Sequence, residues 1–412
     1  MSREWNEALK LTVTFDDIEA ARARLGSAIA RTPLTRSETL SRRLGANLHL
    51  KFENLQFTAS FKERGALNKL LLLDENERRR GVIAMSAGNH AQALAYHGSR
   101  LGIQVSIVMP RHTPNAKVEQ TRVFGAEVFL HGERFDETLE YTHRSARELG
   151  RILVHPFEDE AVIAGQGTLG IEVVEQAPDV DTLIVPVGGG GLLAGTATAV
   201  RALRREVTII GVQAERFSAA VAAFDGRDPG PALPGTVAEG IAVDTPGDTT
   251  MRIIRQTVDR MAAVSERDIE RAIFQLLEIE KTVTEGAGAA ALAAVIADPT
   301  LAAGKTVVVL TGGNIDMMML SSVVQRSLVR ARRLVRIAVE IPDQPGALGE
   351  LTRRLGELDS NIVDIVHQRA FGVSTVRATV VELVLQMRGE EQVEAVVGSL
   401  RDAGYDVRPE QQ

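Results

Sequence analysis

The chain has 412 residues, 44% of them hydrophobic, with a formal net charge of −7 and no cysteine. Its length suffices for roughly two or three buried cores. The charge argues against a nucleic-acid surface spread over the molecule, and the missing thiols exclude disulfides, thiolate metal sites and cysteine nucleophiles. Without cysteine the chain suits a reducing compartment. No apolar run reaches the ~18 residues that span a bilayer. Met1 to Ala30 is charged and lacks an apolar core, so neither a membrane partner nor a signal peptide is expected, and a cytoplasmic protein is the default.

From about Asn47 to Leu310, short β-branched runs alternate with helical patterns, which is how parallel sheets covered by helices are written. Ligands in such sheets sit at the carboxyl ends of the strands, so the loops after strands carry the interest. Strand Leu48–Phe52 leads to Ser60-Phe61-Lys62-Glu63-Arg64-Gly65-Ala66, which sets one amine between an aromatic ring and a small-residue turn. A partly desolvated amine keeps its neutral, nucleophilic form accessible and can hold an aldehyde as an imine. Taken alone, a lysine in a chain with 47 lysines and arginines is more often a solvated surface amine. Strand Val82–Met85 is followed by Ser86-Ala87-Gly88-Asn89-His90 and a helix Ala91–Leu101, whose positive N-terminus suits a carboxylate. A plain N-cap at Asn89 is the alternative. Strands Val105–Val108, Glu127–Leu130 and Ile152–Val154 come next, with helices Phe135–Leu149 and Thr168–Gln176.

Strand Leu183–Val187 opens onto Gly188-Gly189-Gly190-Gly191-Leu192 and a helix Leu192–Leu203. Four residues without Cβ atoms let the backbone wrap an anion closely, in the form of a phosphate cradle. Gly189, Gly191 and Ala194 also satisfy a dinucleotide pattern with Glu215 further on, so an NAD-dependent oxidoreductase stays open at this point. After strand Thr208–Val212, the stretch Gly226 to Pro246 reads as a long functional loop. The stretch Gly286 to Ala297 is Ala-rich and reads as a buried helix. Strand Thr306–Leu310 precedes Thr311-Gly312-Gly313-Asn314, a hydroxyl and a flexible turn at the same sheet edge; a cap for the next helix is the other reading of Thr311.

Arg326, Arg330, Arg332, Arg333 and Arg336 mark a change of composition. In an acidic chain without aromatic interleaving they read as a solvated connector, residues 326–334, between a unit of residues 1–325 and one of 335–412. Beyond it the pattern gives strand Val335–Ile341, helix Pro345–Leu358, strands Ile362–Ala370 and Ser374–Gln386, helix Glu391–Ala403 and strand Asp406–Arg408. That βαββαβ order is ferredoxin-like.

In this order and at these separations the four loop segments resemble the fold-type II pyridoxal-phosphate enzymes, and among them the threonine and serine dehydratases, over about residues 5 to 325. The resemblance implies an α/β, tryptophan synthase β-like fold of two parallel-sheet lobes, the smaller, about residues 54–155, inserted in the larger. It implies pyridoxal 5'-phosphate as cofactor, with Lys62 beside Phe61 as the imine-forming amine that also moves the Cα proton. By the same resemblance Asn89 meets the ring hydroxyl, and Gly188, Gly189, Gly190, Gly191 and Leu192 bind the phosphate. Thr311 sits at the pyridine nitrogen, and Ser86, Ala87, Gly88, Asn89 and His90 grip the substrate carboxylate. The expected activity is elimination of water from L-threonine to give 2-oxobutanoate and ammonia, with serine as a second substrate. Racemases of the family carry serine where Ala87 stands, which lowers that reading. Gln213 and Ala219 stand where some relatives carry acidic ligands of a divalent cation, so no metal site is expected. The terminal segment resembles an ACT domain through Asp343-Gln344-Pro345-Gly346-Ala347-Leu348 and Asn361-Ile362. That implies an amino-acid effector held by paired loops in a homodimer or homotetramer. A dimerisation module without a ligand, and a sensor whose enzyme core is silent, are the alternatives.

Overall fold

The computed structural model describes residues 11–133, 135–231, 233, 235–368 and 377–409. Contacts divide the chain into two units, Met1–Ile315 and Asp316–Gln412.

Among the described residues the first unit has ten strands, eight of them at the β-branched runs. They are β1 (Leu34–Arg36), β2 (Asn47–Phe52), β3 (Val82–Met85), β4 (Val105–Met109) and β5 (Glu127–Leu130), then β6 (Ile152–Leu153), β7 (Thr182–Pro186), β8 (Thr208–Ala214), β9 (Arg260–Val264) and β10 (Lys305–Leu310). The larger sheet has the order β1-β2-β10-β7-β8-β9 and the smaller β5-β4-β3-β6. Every pairing is parallel except that of β1 with β2. All of the smaller sheet lies in sequence between β2 and β7. The central strands are covered on both faces, so Thr306–Leu310 and Val105–Met109 are buried end to end.

Two strands are absent from the sequence reading. β1 has only three residues, and β9 is written Arg-Met-Ala-Ala-Val, with little of the β-branched content that marks a strand.

Helices α1 (Lys62–Leu72), α2 (Asn89–Leu101), α3 (Glu160–Gln176), α4 (Gly191–Leu203) and α5 (Gly286–Ala297) frame the site. α3 starts eight residues earlier than expected. Asp159 caps it by accepting from the N–H groups of Ala161 (2.9 Å) and Val162 (3.2 Å). Its first turns hold Gly165 and Gly167, and a Cβ on Gly165 would lie 2.6 Å from Arg64 O. Close helix packing thus required small residues where a periodic apolar pattern would have revealed the helix. α5 is buried along nearly its whole length, and its small side chains let it sit against the larger sheet.

The second unit opens with α6 (Met317–Arg330), whose N-terminus Asp316 caps through the N–H groups of Met318 and Met319. Residues 326–330, assigned from sequence to a connector, are the last turns of this helix. β11 (Leu334–Pro342), α7 (Ala347–Glu357), β12 (Asn361–Gln368), β13 (Ala378–Gln386), α8 (Glu390–Asp402) and β14 (Asp406–Pro409) follow. The sheet is antiparallel, in the order β12-β13-β11-β14, and its core gathers Ile337, Val339, Leu351, Leu355, Leu383 and Leu400. α7 starts two residues later than expected. Gly346 is its N-cap at φ +90°, a conformation outside the helix, so Pro345 precedes the helix instead of lying in its first turn. The expected strand residues 369–370 and 374–376, and positions 232 and 234 of the long loop, lie outside the described residues. Among the described residues no helix is long and apolar enough to cross a membrane.

Candidate active site

Because β10 lies between β2 and β7, the loops leaving these three strands share one edge of the larger sheet. The turn after β10 is bonded to the segment after β2. Phe61 N–H donates to Thr311 O (3.1 Å) and Gly313 N–H donates to Ala59 O (2.9 Å). Glu285, at the head of α5, donates its N–H to Gly312 O (3.1 Å). Lys62 therefore begins α1 from a braced turn. Its Nζ donates to Pro156 O (2.9 Å) in the loop after β6 and lies 5.1 Å from the centre of the Phe61 ring. Burial holds the amine at about 8, well below the ordinary lysine value, and the Glu285 carboxylate only partly offsets this.

The glycine run after β7 packs on the same β6 loop. A Cβ on Gly189 would fall 2.3 Å from the Phe157 ring, and one on Gly191 would fall 3.1 Å from Phe157 Cα. Gly190 caps α4 at φ +97°, where a Cβ would also meet Thr250 Oγ1 at 2.8 Å. Gly189 O accepts from Thr250 Oγ1 (2.6 Å) and from Gly247 N–H (3.2 Å). With that carbonyl turned away, the N–H groups of the first turn of α4, which have no acceptor within the helix, shape a cradle that could take an anion. Thr250, Phe157 and the loop residue Ile241, whose Cα would lie 3.2 Å from a Cβ on Gly188, hold the cradle's shape.

Asn89 is the first residue of α2, behind an N-cap at Gly88, so the plain capping reading does not hold. Its amide is used across the site instead. Nδ2 donates to Glu285 Oε1 (2.6 Å), and Oδ1 accepts from Asn314 Nδ2 (2.7 Å), which also donates to Thr58 O (2.8 Å). Glu285 is pushed up to about 7, mainly by burial. Ser86 Oγ accepts from Gly88 N–H (3.2 Å), and Ser86, Ala87 and Gly88 are half-buried at the head of α2. His90 is buried and directed elsewhere: Nε2 bonds Val154 O (3.3 Å), and burial lowers the ring to about 3, leaving it neutral. Thr311 is buried beside Lys62, and the next helix is capped by Asp316, so Thr311 is no cap. Leu192 is buried in the first turn of α4.

Gln213 Oε1 accepts from the N–H groups of Ala220 (2.8 Å) and Val221 (3.0 Å) and so tethers the segment that includes Ala219. Among the described residues no three His, Cys, Asp or Glu side chains are grouped to hold a metal.

The structure thus brings Lys62, Phe61, Thr311 and Asn89 together, with the glycine cradle linked to Lys62 through the β6 loop. In the second unit the expected effector residues separate. The loop from Asp343 through Pro345, Gly346, Ala347 and Leu348 follows the end of β11, whereas Asn361 and Ile362 are level with Leu334 to Val335 at its start. Within one chain these two groups stand at opposite ends of the sheet.

Glu285, Pro156, Phe157 and Thr250 escape the sequence reading, and Asn314 lies in a loop it singled out but received no role there. His155-Pro156-Phe157 follows a strand and was open to the strand-end rule, and Glu285 directly precedes Gly-Ala-Gly at a helix head. No periodicity marks Thr250.

The family described as "Pyridoxal-phosphate dependent enzyme" matches residues 25–312. An L-threonine ammonia-lyase of Thermotoga maritima is 43% identical over 397 residues, which is 96% of this chain and 99% of that protein. The L-threonine dehydratase catabolic TdcB of Escherichia coli K12 is 43% identical over 317 residues, 76% of this chain and 96% of that protein. Among solved structures, a T.th. threonine deaminase is 39% identical with a TM-score of 0.69, and the match covers 74% of this chain and 99% of that one. Serine racemase from Dictyostelium discoideum is 32% identical at the same TM-score, over 74% of this chain and 100% of its own. The family match over residues 25–312 and a relative 43% identical over 96% of the chain agree, and the chain belongs to the pyridoxal-phosphate dependent enzymes.

Proposed function

We propose that this enzyme is an L-threonine ammonia-lyase, releasing 2-oxobutanoate and ammonia, with L-serine as a second substrate. The observation that carries this reading is the Lys62 amine, held at about 8 by burial and linked through Pro156 and Phe157 to a glycine cradle. These residues fit the cofactor: the positions of Gly189 and Gly190 admit no Cβ, and behind them lies a helix N-terminus suited to a phosphate. Lys62 would hold it covalently, the amides from Gly188 to Leu192 would bind its phosphate, and Asn89 and Thr311 would meet its ring. Pyridoxal phosphate, when bound, supplies the electron sink that lets an amino acid lose its Cα proton and a β-hydroxyl.

Within that frame Lys62 Nζ accepts the Cα proton, and its value near neutrality lets it both take and return one. Thr311 offers a hydroxyl, so the chain sets no carboxylate there to fix a proton on the ring nitrogen. The half-buried Ser86 to Gly88 turn at the head of α2 suits the substrate carboxylate. Ala87 presents a methyl group that carries no proton, which favours elimination over racemisation. Threonine and serine differ by one methyl, worth ~1–3 kcal/mol of discrimination.

We read the second unit as an ACT domain. Its two candidate effector segments stand at opposite ends of one sheet, so a site that uses both requires a second copy, in keeping with a homodimer or homotetramer.

The test is ammonia and 2-oxo acid release across a panel of hydroxy amino acids, with isoleucine and valine as added effectors. Threonine is expected to turn over fastest. Lys62→Ala is expected to lose both turnover and the yellow imine absorbance, and activity retained in that variant would refute the assignment.

A further inference from the structure

Directly after Lys62 comes Glu63, a carboxylate in the first turn of α1 that is 2% exposed. The proposed reaction gives it no task, yet both its oxygens are engaged. Oε1 accepts from Thr58 N–H and from Thr58 Oγ1 (3.0 Å). Oε2 accepts from Nε2 of His97 (3.0 Å), and His97 lies fully buried in α2, the helix that begins at Asn89. A buried carboxylate is tolerated only while such partners persist. The pair therefore fastens the head of α1, the turn before it and α2 to one another.

Ala59 shows why that turn needs fastening. Its φ is +54°, in the left-handed region that a residue with a Cβ adopts at a cost. Its neighbours are tethered as well, since Ala59 N–H donates to Gln56 O (2.9 Å) and Asn314 Nδ2 donates to Thr58 O (2.8 Å). Two residues on, Phe61 hands the chain to Lys62. We infer that Glu63, braced by His97, is a positioning residue that holds the strained Thr58–Ser60 turn and so fixes where Lys62 presents its amine. Strain and brace belong together: glycine at 59 would take the same φ freely and leave Glu63 little to hold. The inference rests on the reading of Lys62 as the amine that carries the cofactor.

The test compares the full-length chain with Glu63→Leu, Glu63→Gln, Ala59→Gly and the double variant Ala59→Gly/Glu63→Leu. Two readouts are independent of turnover. One is the pH profile of Lys62 acylation in the cofactor-free chain, read by peptide mass spectrometry; the other is the dissociation constant of pyridoxal phosphate from its imine absorbance. Glu63→Leu is expected to label Lys62 about fivefold less at pH 8, the loss that accompanies about one pKa unit of return toward a solvated amine. Its cofactor affinity is expected to fall by about tenfold, as a mispositioned anchor implies. Glu63→Gln keeps an acceptor for Thr58 and is expected to retain the parent profile. The double variant is expected within about twofold of Ala59→Gly, because the two sites are coupled. A parent-like profile and affinity in Glu63→Leu overturn the inference, as does an equal loss with alanine or glycine at 59. If Glu63→Leu does not fold, folding restored in the double variant supports the inference, and its continued absence overturns it. Borohydride trapping that finds the adduct on another lysine would instead defeat the functional reading and leave the labelling comparison standing.

Discussion

Burial moves Lys62 and Glu285 toward each other on the pH scale, the amine down to about 8 and the carboxyl up to about 7. Two titratable groups shifted into the neutral range beside one cradle are what proton-transfer chemistry requires. The shift at Glu285 has a consequence for stability. Its folded-state value is raised above the ordinary carboxylate range, so its contribution is fully present below about 4.5 and is lost as pH rises through about 7. Glu285→Gln keeps an acceptor for Asn89 and carries no charge. In urea unfolding of the cofactor-free chain it is expected to gain on the order of 1–3 kcal/mol over the parent at pH 8 and nothing at pH 4. Equal gains at both pH values would show that burial of the charge is not the cause. Lys62 stood out through the family resemblance of its loop together with the other loop segments, since by itself it reads as an ordinary surface amine. Glu285 did not, since a carboxylate at the head of a helix is common and only the fold shows that this one is half-buried and bonded to Asn89.

A cradle made of glycines works by what it excludes. The Phe157 ring and Thr250 occupy the space that Cβ atoms would need, so the loop's backbone can take only one course. Gly189→Ala is expected to push the loop off Phe157 and weaken pyridoxal phosphate binding by about tenfold or more, while the second unit's own unfolding transition stays unchanged. Thr250→Val removes a donor from two carbonyls, Gly189 O and Gly247 O, and is expected to cost ~1–3 kcal/mol of stability in thermal unfolding. Undiminished cofactor affinity in Gly189→Ala would mean that the run binds no phosphate. Eight of the ten strands described in the first unit were readable from their β-branched runs to within two residues, because the central parallel strands are buried on both faces and apolar throughout. The start of α3 was hidden because close packing selected glycine there, and β9 because its Arg-Met-Ala-Ala-Val carries little β-branched content.

Each unit has its own apolar core, with Leu183, Val185, Leu193 and Val309 in one and Ile337, Leu351, Leu383 and Leu400 in the other. A chain ending at Ile315 is expected to keep the imine absorbance and to lose any response to added amino acids, and residues 316–412 alone are expected to unfold cooperatively. Loss of the imine in the shortened chain would show that the second unit supports the first. The sequence by itself determined the fold class, the place of the glycine run and the βαββαβ order, since strand periodicity, helix ends and the absence of Cβ atoms are local properties of the chain. Tertiary structure alone decided that Asn89 bonds Glu285 and Asn314, that Glu63 clamps Thr58, and that Asp343 and Asn361 lie far apart on one sheet. Apart from the local Glu63–Thr58 bond, those relations join residues far apart in sequence, and only the packing of strands and helices from different parts of the chain and the register of the second sheet fix their distances.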